Sequence, residues 1–209
     1  MVVIIDYGMG NLKSVYNALK KIECDCKISS DIEDIRKADK LILPGVGAFK
    51  DCMDNLNKAN LPEVIKEEVA KGKPLLGICL GMQVLFERGF EGEECEGLKL
   101  LQGEVRLMED PNVKIPHIGW NNLEKNREDN LLNGLKDNAF VYYVHSYRAT
   151  GYRDEDLVGF STYGSLKIPG LVRKGNVIGA QFHPEKSGEI GLQILKNLTK
   201  NFKMRREYS

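Results

Sequence analysis

Pro74-Leu75-Leu76-Gly77-Ile78-Cys79-Leu80-Gly81-Met82-Gln83 is the stretch on which the reading of this chain turns. Residues 74–78 form a short apolar run with the length and composition of a strand buried on both faces. A helix is predicted over residues 80–88, with only Cys79 between the two. A strand that becomes a helix within one residue strains the backbone at the junction, and its close neighbours must lack side chains. Gly77 and Gly81 stand at those positions. The pattern is that of a nucleophile elbow with cysteine in place of serine. In such a turn the sulfur lies over the helix N-terminus, where the dipole and free N–H groups favour thiolate. The Leu80 N–H then points at an oxyanion formed on attack. A small buried cysteine between packing glycines fits the same letters.

The flanking sequence alternates in the same way. Residues 2–5 read as a buried strand, followed by a glycine turn over 7–11 and a helix over 12–22, with Leu12, Val15, Tyr16 and Leu19 at helical spacing. Leu41-Ile42-Leu43 is a further strand and runs into Pro44-Gly45-Val46-Gly47. A helix is predicted over 61–71, with Pro62 suited to its first turn and Gly72 to its end. Strand and helix alternating through short links predict an α/β fold with a parallel sheet covered on both faces. The second half changes character: residues 104–108, 139–147 and 157–163 read as strands with few helices between them. Leu171-Val172-Arg173 and residues 177–182 suggest a hairpin around Lys174-Gly175-Asn176. A closing helix is expected over 188–202, with Ile190, Ile194, Leu195 and Leu198 on one face. The polar stretches 91–97 and 124–130 read as surface loops. The acidic cluster Glu91, Glu93, Glu94 and Glu96 and the basic tail of Lys203, Arg205 and Arg206 read as solvated charge. With no repeat and no linker, a single domain over 1–209 is expected.

Composition narrows the function. The 209 residues are 42% hydrophobic and 29% charged, an ordinary globular balance. A chain of this size buries about 70% of its unfolded surface and needs neither disulfide nor metal to fold. Thirty basic residues offset 30 acidic ones, which argues against binding nucleic acid or a membrane surface by bulk electrostatics. No apolar run approaches the roughly 20 residues that span a bilayer. The opening Met1-Val2-Val3-Ile4-Ile5-Asp6 lacks the basic and long apolar regions of a signal peptide, so a cytoplasmic location is expected. The five cysteines, Cys24, Cys26, Cys52, Cys79 and Cys95, form no CxxC and have no clustered histidines. Neither a disulfide framework nor a zinc site follows, and no metal or cofactor is expected.

A thiolate nucleophile needs a proton donor for its leaving group, and the chain has 3 histidines. His117 follows Pro116 in a predicted loop. His145 lies in the apolar strand and suits a hydrogen-bonded core or cleft role. His183 ends the strand over 177–182 in His183-Pro184-Glu185. In an extended backbone Glu185 falls on the same side as His183. Its carboxylate can then fix the imidazole tautomer and stabilise the imidazolium, leaving the other nitrogen for the cysteine. A satisfied loop histidine is the plainer alternative.

With GICLGMQ and FHPEK together, the chain resembles the class I, triad-type glutamine amidotransferases along essentially its whole length. The segments Ile5-Asp6-Tyr7-Gly8-Met9-Gly10-Asn11, Pro44-Gly45-Val46-Gly47-Ala48-Phe49 and Pro116-His117-Ile118-Gly119-Trp120-Asn121 are similar to those of the HisH glutaminase subunits within that family. So are Tyr142-Tyr143-Val144-His145-Ser146-Tyr147 and His183-Pro184-Glu185-Lys186-Ser187. The resemblance implies a flavodoxin-like α/β fold with an antiparallel extension. It implies a Cys79, His183 and Glu185 triad, and an oxyanion hole from Leu80 and a backbone N–H of the 45–47 loop, at Val46. It implies glutamine held at Gly47, Gln83, Ser146 and Tyr147, although Gln83 alone could be a solvent-facing helix residue and Tyr147 a core residue. The implied partner is the HisF cyclase, a TIM barrel acting on the ribulosyl phosphate PRFAR, met at Asn11, Trp120, Tyr142 and Lys186. Since the amidotransferase fold takes up all 209 residues and no GxxxxGK[ST] loop is present, an acceptor site on another chain is expected.

Other readings share the fold. A HisH-like paralogue supplying ammonia to an amino-sugar amidotransferase would carry the same triad. A non-catalytic scaffold is opposed by Cys79, His183 and Glu185. A hydrolase for other substrates fits Gln83 and the His-Pro-Glu pair less well.

Overall fold

A computed structural model describes residues 1–136 and 139–201 of the chain. Phe202, expected at the end of the closing helix, and the basic tail of Lys203, Arg205 and Arg206 lie outside the described residues. The first half contains β1 (Val2–Ile5), α1 (Leu12–Lys21), β2 (Cys26–Ser29), α2 (Ile32–Lys37) and β3 (Lys40–Gly45). It continues with α3 (Phe49–Lys58), α4 (Leu61–Ala70), β4 (Leu75–Cys79) and α5 (Leu80–Gln83). The second half contains β5 (Arg88–Gly89), β6 (Cys95–Glu96), β7 (Glu104–Leu107), β8 (His117–Asn122), β9 (Glu124–Lys125) and β10 (Phe140–His145). It closes with β11 (Tyr147–Thr150), β12 (Leu157–Tyr163), β13 (Leu166–Lys174), β14 (Val177–Ala180) and α6 (Gly188–Asn201).

The central sheet has 8 strands in the order β2-β1-β3-β4-β14-β13-β12-β9. From β2 to β14 the pairings are parallel, and from β14 to β9 they are antiparallel. This is the expected α/β class, with a largely parallel sheet, helices on both faces and an antiparallel extension. Side chains alternate across each strand. Val3 and Ile5 therefore join a core with Ile35, Phe49, Leu56 and Ile65 of α2, α3 and α4. Val2 and Ile4 join Val15 and Leu19 of α1 and Leu195 of α6 on the other face. Burying an aliphatic side chain on either face is worth about 1.5–3 kcal/mol, so the central strands read as unbroken apolar runs.

Several expected elements differ. The helix over 80–88 ends at Gln83. The carbonyls of Val84, Leu85, Phe86 and Glu87 accept from the backbone of residues 97–101 instead of from residues four positions on. The strand over 139–147 divides at Ser146: β10 pairs β8 as a two-stranded ribbon, and β11 pairs β7 in a four-stranded sheet. His117 lies in β8, not in a loop. The strand over 177–182 stops at Ala180, and the hairpin closes at Lys174 opposite Val177 with β13 reaching back to Leu166. The two polar stretches each contribute a two-residue strand, β6 and β9. Glu91 is not merely solvated, because its Oε2 accepts from the Phe49 N–H at 2.9 Å. That N–H opens α3, where Ala48 offers no side-chain cap.

Candidate active site

The elbow forms at the C-terminal edge of the parallel sheet, the end where open α/β sheets place their sites. Cys79 is the last residue of β4 and has φ 54° and ψ −112°, a conformation that costs an L-residue of order 1–3 kcal/mol. Packing imposes it. A Cβ on Gly81 would stand 1.8 Å from the Leu43 carbonyl oxygen, and one on Gly77 would stand 2.4 Å from the Gly81 oxygen. Only glycine lets β3, β4 and α5 approach so closely. The helix behind the sulfur is a single turn, so its macrodipole is small and the local N–H groups carry the polarity.

Cys79 opens onto a cleft of about 350 Å³ that Leu80, Gln83, His183, Val46 and Gly47 also line. His183 is buried, and its Nδ1 lies 2.8 Å from Glu185 Oε1. The pairing does not come from extended backbone. Residues 184–186 form a 3-10 turn opened by Pro184, with the Lys186 and Ser187 N–H groups donating to the His183 and Pro184 carbonyls. Among the described residues His183 Nε2 has no hydrogen-bond partner. Burial by itself presses this ring toward the neutral form, but the Cys79 sulfur and the Glu185 carboxylate outweigh it and raise its pKa to about 9. The ring is thus held ready to carry a proton beside the sulfur. The ring's backbone is also fixed, since the His183 N–H donates to the Tyr142 carbonyl at 2.9 Å and the Ser187 hydroxyl donates to the His183 carbonyl at 2.6 Å.

The four expected glutamine positions, Gly47, Gln83, Ser146 and Tyr147, all line this cleft. Gln83 is buried, not solvent-facing, and its Nε2 donates to the Tyr147 carbonyl and to Gln181 Oε1, each at 3.1 Å. Gln181 in turn directs its Nε2 toward the Cys79 sulfur at 3.8 Å. Both donors of Gln83 are therefore spent on the protein, and only its Oε1 is left for a ligand. At the oxyanion side, β3 stays paired with β4 through Gly45 opposite Cys79, and the Tyr7 hydroxyl donates to the Pro44 carbonyl at 2.8 Å. Val46 and Gly47 lie beyond that anchored point, with Val46 exposed and Gly47 at φ +100°.

Glu91 and Gln181 were not singled out by the sequence. Glu91 lines the cleft and raises the pKa of the Tyr147 hydroxyl after the larger effect of burial. Its acidic neighbours hid it, for Glu93, Glu94 and Glu96 pair with surface lysine or arginine. Gln181 lies next to the FHPEK motif, and the signal for it was a polar residue in an apolar strand ending at the site.

Of the expected interface residues, Trp120 and Tyr142 face each other across the β8–β10 ribbon, ring centroids 6.0 Å apart. Trp120 is 54% exposed, and Ile118, Phe140 and Val144 are also exposed large apolar residues of this ribbon. Lys186 is exposed in the turn after His183, and Asn11 caps α1 by accepting from the Ser14 N–H at 3.3 Å. α1 packs on that turn.

Comparison with known proteins places this geometry. The family profile of class I glutamine amidotransferases matches residues 3–202. The chain belongs to the class I glutamine amidotransferases. It is an enzyme of that family, and its relatives set it among the HisH glutaminase subunits. It is 58% identical over 197 residues to the imidazole glycerol phosphate synthase subunit HisH of Bacillus cereus, covering 94% of this chain and 93% of that one. It is 57% identical over 195 residues to the HisH subunit of Lactococcus lactis, covering 93% and 96%. Among solved structures, PurLQS from Thermotoga maritima superposes with a TM-score of 0.73 at 20% identity, covering 97% of this chain and 98% of that one. A structure described as a glutamine amidotransferase gives a TM-score of 0.73 at 20% identity, over 94% and 98%. At that identity these two structures speak for the amidotransferase fold alone. Among the described residues no helix is long and apolar enough to cross a membrane.

Proposed function

We propose that this chain hydrolyses glutamine to glutamate and ammonia and passes the ammonia to a HisF cyclase, which converts PRFAR to imidazole glycerol phosphate and AICAR in histidine biosynthesis. The observation that carries the reading is one cleft holding a strained Cys79 and a His183 whose far nitrogen is bound to Glu185. The family profile supports glutamine as the substrate, and the relatives' description as HisH subunits of imidazole glycerol phosphate synthase supports this client.

The Cys79 thiolate attacks the side-chain amide carbon of glutamine, and the C=O bond becomes an oxyanion. The N–H groups of Leu80 and Val46 bind that oxyanion, a contact worth about 3–4 kcal/mol per well-placed donor. His183 gives its Nε2 proton to the departing nitrogen, the C–N bond breaks, and ammonia leaves. Water then attacks the glutamyl thioester, giving a proton to His183 as base; the C–S bond breaks, glutamate leaves, and the Cys79 thiolate and protonated His183 are restored. Gly47, Ser146, Tyr147 and the Gln83 Oε1 position the substrate. Glu91 supplies the negative charge that suits an α-ammonium group.

The exposed apolar face of the ribbon, centred on Trp120 and Tyr142, has the aromatic character of an interface anchor. Lys186 and Asn11 extend the face from neighbouring elements. The chain works as one domain over 1–209 in a cytoplasmic heterodimer. Glutaminase assays with and without a purified cyclase and PRFAR test the whole reading. Glutamine-dependent formation of imidazole glycerol phosphate supports it. A chain that hydrolyses glutamine yet neither binds nor feeds the cyclase would defeat the assignment of the client.

A further inference from the structure

In the wall of the cleft, which His145 lines, a second cluster of polar groups has no part in the proposed chemistry. His117 and His145 are both buried, and His117 Nδ1 lies 3.0 Å from His145 Nε2. His145 Nδ1 lies 2.8 Å from the Tyr147 carbonyl, and His117 Nε2 lies 3.3 Å from Asn121 Nδ2. The proton positions in this chain follow from its two ends. A carbonyl only accepts, so His145 carries its proton on Nδ1 and presents a bare Nε2 to His117. His117 must then donate from Nδ1 and present a bare Nε2 to Asn121.

The other end fixes the same direction independently. Asn121 Nδ2 also donates to the Thr162 carbonyl at 3.0 Å, and its Oδ1 accepts from the Asn122 N–H at 2.8 Å. Turning the amide over would set oxygen against oxygen and N–H against N–H. The amide therefore can only donate to His117, and both rings are neutral Nδ1–H tautomers. Tyr143 and Tyr163 stack on the two faces of His117, at 4.6 and 4.0 Å between ring centroids, and prevent it from rotating. Burial is the main force keeping His145 uncharged; the bond to the Tyr147 carbonyl works against it, and positive charge on His117 or His183 further opposes protonation.

We infer that Asn121, His117 and His145 form a one-way relay of hydrogen bonds that positions the Tyr147 carbonyl, and with it the Ser146–Tyr147 segment that receives glutamine. This rests on the reading of the cleft as a glutamine site. The carbonyl is the junction of two arms. One comes from Asn121 through the histidines, and the other comes from Gln83, which also holds Gln181 against the Cys79 sulfur. Two donors on one carbonyl fix its direction where one would leave it free to pivot. The Met108 N–H holds the Ser146 carbonyl at 2.9 Å in continuation of the β7–β11 pairing, while the Tyr147 carbonyl receives the two side-chain donors. The three residues are positioning residues; none of them exchanges a proton with substrate.

Two measurements on the full chain test the relay. Nitrogen-15 NMR of the histidine rings should give the Nδ1–H pattern for His117 and His145, with neither ring titrating near pH 6.5. An Nε2–H pattern, or an ordinary titration, overturns the inference whether or not the protein hydrolyses glutamine. Replacing the middle of the relay tests its purpose in the complex. His117→Leu should raise the KM for glutamine about 3- to 10-fold, the effect of one lost neutral hydrogen bond, while kcat and Cys79 alkylation by iodoacetamide stay within about two-fold. His117→Gln, whose amide can donate to His145, should restore KM. An unchanged KM in a folded His117→Leu variant overturns the relay. So does a fall in kcat and alkylation together in His117→Leu that His117→Gln does not relieve, since that is the mark of a merely structural role. A cleft that hydrolyses no glutamine in the wild type, with the NMR pattern intact, counts against the glutamine site and not against the relay.

Discussion

His183 Nδ1 lies 2.8 Å from Glu185 Oε1, across a turn that Pro184 opens. Among the described residues the second carboxylate oxygen and the ring's Nε2 are both buried with no hydrogen-bond partner. The pair is thus committed on one side and open on the other, which is the arrangement a general acid needs toward a leaving group. His183→Ala should lower glutaminase turnover by about 10³-fold or more. Glu185→Gln should cost less, because the amide can still orient the ring but no longer favours its charged form. Steady-state kcat for the two variants in the cyclase complex decides this. An equal or larger loss at Glu185 assigns the carboxylate a different role.

Cys79→Ala should remove glutamine hydrolysis and leave the fold in place, since the lost atom is the one that reacts. Formation of imidazole glycerol phosphate from added ammonia should survive in the complex, because that chemistry lies on the other chain. Serine at Cys24, Cys26, Cys52 or Cys95 should be tolerated far better; Cys52 donates to the Tyr7 hydroxyl, which serine can also do. Glutaminase activity remaining above a trace in Cys79→Ala would mean that another group is the nucleophile.

Gly81→Ala should destabilise the protein by about 3 kcal/mol. The new methyl meets the Leu43 carbonyl, a backbone atom that cannot rotate away. Gly72→Ala is the control for crowding: no atom lies within 4 Å of a Cβ there, though its φ of +88° carries a smaller cost. Urea midpoints of both variants make the comparison, and equal losses would show that crowding at the elbow is not the reason for Gly81.

The histidines should shape stability in opposite directions with pH. Burial holds His117 down to about 4 and His145 to about 3. Between those values and about 6.5 the unfolded chain binds the extra protons, so stability rises with pH there. The contribution of these rings is complete above about 6.5 and is lost as pH falls through their folded values. His183 is raised to about 9, so its contribution is complete below about 6.5 and is lost as pH rises through about 9. Each group adds a slope of up to about 1.4 kcal/mol per pH unit. The summed histidine contribution therefore peaks near pH 6.5. His145→Gln should flatten the acid limb of unfolding free energy between pH 4 and 6, and an unaltered limb would refute the assignment.

The lone subunit should be a poor glutaminase. Tyr7 and the pairing of Gly45 with Cys79 anchor the root of the 44–47 loop, while Val46 and Gly47 lie beyond both constraints. Gly45 and Gly47 flank Val46 and relax the backbone on either side of it, so the Gly45–Val46 peptide can turn to present either the Gly45 carbonyl or the Val46 N–H to the oxyanion position. One correctly placed donor is worth 10²–10³ in rate, so hydrolysis should rise at least about 10²-fold when cyclase and acceptor ligand are both bound. Assays of the subunit, the complex and the liganded complex measure it. Equal rates in all three would sink the gating while leaving the triad untouched.

By itself the sequence determined what depends on neighbours along the chain. Apolar runs at strand length marked β1, β3 and β4, and the letters of Gly77-Ile78-Cys79-Leu80-Gly81 marked the elbow, because strain at one residue and crowding at its neighbours are local requirements. His183 and Glu185 were legible as a pair for the same reason, though a turn and not an extended strand joins them. Only the tertiary structure decided where α5 ends, because the carbonyls after Gln83 are claimed by backbone from residues 97–101. It also divided the strand over 139–147 between two sheets, placed Glu91 in the cleft, and set His117 against His145 by the antiparallel register of β8 and β10. Hydrogen bonds and pairings between distant segments are chosen by the geometry of the whole fold, and no pattern of adjacent residues encodes them.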